Sequence, residues 1–125
     1  MILSPEQVKN FKQDGAIVVR DIFKPWINLL REGFEKVLND PGPHARENTS
    51  INEKGRFFED YCNWDRISEF KKFAKESPAA EIVGEATNSK SIQVFHDHIF
   101  VKDPGTSKPT PWHQDMPYYC VEGED

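Results

Sequence analysis

Apolar residues fall at three-to-four-residue spacing through Trp26, Ile27, Leu30, Phe34, Val37 and Leu38, which predicts an amphipathic helix from about Pro25. The cluster Asn39-Asp40-Pro41-Gly42-Pro43 ends it, because two prolines and a glycine cannot continue a helical hydrogen-bond ladder. An earlier helix opens at Ser4-Pro5-Glu6-Gln7, where serine caps, proline suits the first turn and glutamine can close a capping box. Its apolar face is Val8 and Phe11, and Gly15 stops it. Helical spacing returns through Ile67, Phe70 and Phe73 between Arg66 and Lys75, and Ser77-Pro78 starts a further helix reaching about Ala86.

Period-two patterning marks the strands. Ala16 to Val19 (AIVV) reads as a short buried strand. Ser91 to Lys102 (SIQVFHDHIFVK) is β-branched, aromatic and long, the best strand in the chain. Its alternation sends Val94, His96, His98, Phe100 and Lys102 to one face and Phe95, Asp97, Ile99 and Val101 to the other. Between them, residues 41–55 are polar and read as a surface loop, while Arg56 to Trp64 is aromatic-rich and fits either a strand or an irregular piece. Asp103 to Pro111 must be a connection, and WHQDMPYYCV, from Trp112, begins another strand. Helices first and strands after is an α+β order, with strands still arriving at the last residues.

Charge and composition narrow the partners. The 125 residues carry a formal net charge of −5 and no basic block, which argues against a nucleic-acid surface or an anionic membrane. No apolar run approaches the roughly 20 residues of a membrane span, and the first residues lack the pattern of a signal peptide. Cys62 and Cys120 are too few and isolated for a disulfide framework or a zinc site, so a reducing, cytoplasmic setting is expected. A chain of this length is expected to form a single domain.

Candidate chemistry sits at His113-Gln114-Asp115. On a strand, residues two apart share a face, so His113 and Asp115 can point inward together while Gln114 points away. An imidazole and a carboxylate side by side supply two-thirds of the facial triad that holds non-haem Fe(II). By itself H-x-D is a weak pattern, more often a surface pair or a helix cap than a ligand pair.

Its surroundings are more specific. The block from Phe95 to Gly105 (FHDHIFVKDPG), a short polar connection and TPWHQDMPYY from Thr110 resemble the phytanoyl-CoA dioxygenase family of Fe(II)- and 2-oxoglutarate-dependent oxygenases. The resemblance rests on Lys102, Pro104, Gly105, Trp112, His113, Gln114 and Asp115, is strong over about residues 91–123, and is loose in the helical half. It implies a fold of N-terminal helices packed on the first strands of a double-stranded β-helix (a cupin-like jelly roll), with residues 1–90 mainly helical and 91–125 carrying those strands. It also implies His113 and Asp115 as iron ligands and Gln114 beside the 2-oxoglutarate pocket. His98 stands where relatives set a side chain against the co-substrate, or else it is a barrel-lining histidine bonded to a neighbour. Arg56 falls near a basic residue that touches 2-oxoglutarate in some members, or is simply solvated. Trp112 and Tyr118 are read as packing beside the site.

The implied activity is hydroxylation of an unactivated C–H bond of a small organic substrate, using O2 and converting 2-oxoglutarate to succinate. Asp115 favours hydroxylation over halogenation, because halogenating relatives lack this carboxylate. Relatives place a third ligand, a histidine, and an arginine that clamps 2-oxoglutarate on later strands. The other histidines here, His44, His96 and His98, all precede the pair. The chain is therefore expected to be the N-terminal part of an oxygenase, inactive alone, with the missing C-terminal half of the same protein as its partner. Two other readings stand beside this one: a non-catalytic jelly-roll binding module, and a cupin-type metal enzyme that does not use 2-oxoglutarate. Substrate and oligomeric state are not legible in these residues.

Overall fold

The computed structural model of the chain describes residues 1–120. Helix α1, Pro5–Asp14, begins as its sequence predicts: the Ser4 hydroxyl accepts from the Gln7 N–H and the Gln7 side chain accepts from the Ser4 N–H. Gly15 closes it at φ 73°, a left-handed conformation suited to glycine. A 3₁₀ turn over Lys24–Trp26 leads into α2, Ile27–Asn39. Helices α3 (Ser68–Glu76) and α4 (Ala79–Thr87) follow the sheet's first two strands, and Asn88 caps α4 in the left-handed region.

Strands β1 (Arg46–Glu47), β2 (Phe57–Tyr61) and β3 (His98–Lys102) form one antiparallel sheet in that order. Register sets its two faces. Phe58 and Asp60 lie opposite Val101 and Ile99, and this face turns to the helices. Phe58, Ile99, Val37, Ile67 and Phe70 make the buried cluster, with Leu30, Phe34, Leu38 and Trp64 packed around it. Gly33 lets α2 approach α3 closely, since a Cβ there would lie 2.5 Å from the Phe70 ring. Buried Asp60 is fully bonded, accepting from the Gly42 and Tyr61 N–H groups at 2.7 and 2.8 Å. The opposite face carries Phe57, Glu59 and Tyr61 against Lys102, Phe100 and His98, and among the described residues none of the helices α1 to α4 packs closely on it.

Three expectations are corrected. Residues 16–19 form no strand; Val18 is 70% exposed and nothing pairs with the segment, so its apolar run only leans on neighbours at Ile17 and Val19. Of the strand expected over Ser91 to Lys102, only His98–Lys102 pairs, because β2 is five residues long and runs out at Tyr61. The strand expected from Trp112 is coil followed by a 3₁₀ turn at Met116–Tyr118, where Pro117 supplies no donor; Val121 lies outside the described residues. The aromatic stretch left open at 56–64 contains β2, which pairs with β1 inside the expected loop. Four helices and a three-stranded antiparallel sheet make the described residues an α+β structure, and no closed jelly roll appears among them.

Candidate metal centre

Past β3 the chain must reverse to return to the helix-free face, and the residues that achieve this are the motif residues. Gly105 takes φ 97°, accessible to glycine. The turn presses on Gly55, where a Cβ would lie 2.6 Å from the Thr106 nitrogen and 2.7 Å from the Asp103 and Pro104 oxygens. Asp103 N–H donates to Arg56 O at 2.9 Å. Glu53 accepts from the Ser107 N–H and hydroxyl, bonds that hold its carboxyl below the ordinary range. Lys102 finally ties the returning segment down, donating from Nζ to Lys108 O and Thr110 Oγ1, both at 3.0 Å.

The tied segment delivers His113 and Asp115. Their shared direction comes from a bend, not from a pleat, with Asp115 at φ −75° and ψ −34°. His113 Nε2 and Asp115 Oδ1 stand 3.2 Å apart. Two adjacent ligands on one octahedral first-row metal, each about 2.1 Å from it, lie about 3.0 Å apart. The pair thus fits a common divalent ion with little movement. His113 Nδ1 lies 2.8 Å from Pro111 O. A carbonyl oxygen only accepts, so Nδ1 carries a proton, and in the neutral ring Nε2 is then the nitrogen with the lone pair a metal needs. The Tyr118 ring meets the imidazole edge-on at 6.1 Å. Among the described residues no third His, Cys, Asp or Glu joins the two in a metal-holding group, so neither His96 nor His98 completes the set.

The pair lines a cavity of about 450 Å³. Tyr61 and His98 of the sheet line it together with Arg46, Thr110 and Tyr119, and it opens to solvent, with the His113 and Asp115 side chains 42% and 76% exposed. His98 stacks on Tyr61 at 3.9 Å and lines the cavity; its Nε2 lies 3.6 Å from Glu59 Oε2, beyond hydrogen-bond distance. Burial pushes the Tyr61 phenol up, as do the negative charge of Glu59 and the presence of Tyr119, so it stays a donor at neutral pH. Gln114 is exposed and does not line the cavity. Arg56 is not brought to it either: it shares the helix-facing side with Phe58, stacks over that ring at 4.6 Å and pairs with Glu47 at 2.8 Å. Trp112 is fully exposed. Sequence reasoning missed Arg46 and Tyr61. Only the register, Arg46 opposite Glu59 and Tyr61 opposite His98, places them here, and no spacing rule reads a register between distant segments.

An imidazole and a carboxylate at the separation of adjacent ligands, lining a cavity on an α+β scaffold, are two of the three protein groups that a His/carboxylate metal site uses. Comparison with known families gives the assignment: the chain belongs to the phytanoyl-CoA dioxygenase (PhyH) family, which matches residues 11–124. Members of that family are Fe(II)- and 2-oxoglutarate-dependent oxygenases, so an oxygenase is what the family implies for this chain. No curated protein and no solved structure matches it. No helix among the described residues is long and apolar enough to cross a membrane.

Proposed function

We propose that this chain carries the first two iron ligands of an oxygenase that hydroxylates an unactivated C–H bond of a small organic substrate, with 2-oxoglutarate and O2 as co-substrates. The observation that carries the reading is the 3.2 Å approach of His113 Nε2 to Asp115 Oδ1 beside an imidazole whose other nitrogen is fixed by Pro111 O. Family membership supports it independently. When bound, the ferrous ion supplies the oxidising chemistry. The chain's own residues do the positioning. Pro111 orients His113 and, in the neutral ring, leaves the lone pair on Nε2. Asp115 contributes the charge that holds a divalent cation and fills the position a halide would need. Lys102 and Gly55 fix the segment that carries both, and Tyr61 and His98 wall the cavity beneath them.

A histidine from outside these 125 residues completes the triad in this proposal, and further strands extend the three-stranded sheet into a jelly roll. His98 then lies against the co-substrate. The test is anaerobic titration of the protein with Fe(II) and 2-oxoglutarate. The reading expects a weak visible metal-to-ligand charge-transfer band that His113→Ala abolishes, and succinate release coupled to product. A Fe(II) complex that turns over without consuming 2-oxoglutarate would instead mark a cupin-type enzyme.

A further inference from the structure

The sheet face beneath the His113–Asp115 pair carries a cation with nothing to bind. Arg46 is opposite Glu59 in the β1–β2 register, so both side chains rise from the helix-free face. Glu59 is turned to His98, 3.6 Å from its Nε2, and does not take up the guanidinium. Among the described residues Arg46 forms no ion pair and no side-chain hydrogen bond, whereas Arg56 and Arg66 both do. Arg46 nevertheless borders the same cavity as the metal-ligand pair, with Tyr61 beside it. A cavity of about 450 Å³ lies within the roughly 300–1,000 Å³ of small-molecule sites. A guanidinium presents paired N–H donors whose spacing matches the two oxygens of a carboxylate, and a phenol adds a third donor.

We propose that Arg46 and Tyr61 form a carboxylate seat in the cavity of His113 and Asp115. This builds on the reading of that pair as metal ligands, because it makes the seat part of the same reaction chamber. The seated group belongs either to the dicarboxylate co-substrate or to an acidic substrate. Both present the same chemistry to Arg46. Asp115 brings a negative charge to the cavity lining, and Arg46 offsets it where an anionic ligand must enter.

Calorimetric titration of the metal-free chain with succinate and with hexanoate tests the seat, with the neutral amides succinamide and hexanamide as controls. Wild type is expected to bind at least one acid saturably and neither amide. Arg46→Met should weaken that binding at least tenfold, Arg46→Lys less, and Tyr61→Phe a few-fold. Dependence on Arg46 for succinate assigns the seat to the co-substrate; dependence for hexanoate alone assigns it to the substrate; dependence for both supports the seat equally. Absence of saturable acid binding, or binding that Arg46→Met leaves unchanged in a variant with wild-type circular dichroism, overturns the proposal. Fe(II) affinity measured separately on His113→Ala keeps the two readings apart. Fe(II) affinity unchanged in His113→Ala, with acid binding that still depends on Arg46, sinks the oxygenase reading alone; Fe(II) affinity lost in His113→Ala, with no Arg46-dependent acid binding in wild type, sinks the seat alone.

Discussion

At the scale of single residues, the site depends on which nitrogen of His113 holds its proton. The 2.8 Å contact of Nδ1 with Pro111 O assigns the Nδ1–H tautomer. Nitrogen-15 NMR of the neutral imidazole should therefore show a protonated Nδ1 and a pyridine-like Nε2; the opposite pattern would mean the ligand nitrogen is blocked. Gly55 matters just as locally. An added methyl group meets three backbone atoms at 2.6–2.7 Å, and backbone cannot swing aside as a side chain can. Gly55→Ala is expected to cost about 1–3 kcal/mol of stability, read from denaturant unfolding, and to weaken metal binding by displacing the 103–106 turn. The motif residues were legible in the sequence as a set. The reason for several of them was not, because the work of Gly105 and Lys102 is to shape a connection, which periodicity does not describe.

At the scale of elements, helices were easier to read than strands. The capping box of α1 and the stop of α2 are local chemistry, carried by Ser4, Gln7 and the Asp40-Pro41 boundary. Strands need partners. Residues 16–19 have the composition of a strand and no neighbour, while Phe57 to Tyr61 has ambiguous periodicity and two neighbours, so pairing reversed the ranking by composition. The N-terminal segment illustrates another element-level link. Glu85 on α4 accepts from the Leu3 and Ile2 N–H groups at 2.7 and 2.9 Å. These bonds, Leu3's first, hold its carboxyl below the ordinary glutamate range. A carboxyl depressed in the folded state contributes stability that is full above its unfolded value and is lost as pH falls through its folded one. Acidification below the ordinary glutamate range should loosen residues 1–3 from α4, seen as faster amide exchange at Ile2 and Leu3. Glu85→Gln should show that loosening at neutral pH already. Unchanged exchange across this range would remove Glu85 as the anchor.

At the scale of the whole molecule, α1 to α4 are a support and the sheet is the working surface. One face of the sheet is spent on the core through Phe58, Ile99 and Val101, and the other is left for the cavity. His113 and Asp115 were read correctly as a convergent pair for a reason that proved wrong in detail: a bend, not a strand, brings them together. Arg46 and Tyr61 escaped notice because a cavity wall assembled from β1 and β2 exists only once the chain has folded. The account's central claim is that His113 and Asp115 hold one divalent cation between them. The most direct test is anaerobic Fe(II) binding by the wild-type protein and by His113→Ala and Asp115→Ala. The account predicts one ion bound, with affinity at least tenfold weaker in each variant while the circular dichroism is unchanged; equal affinity in all three proteins would contradict it.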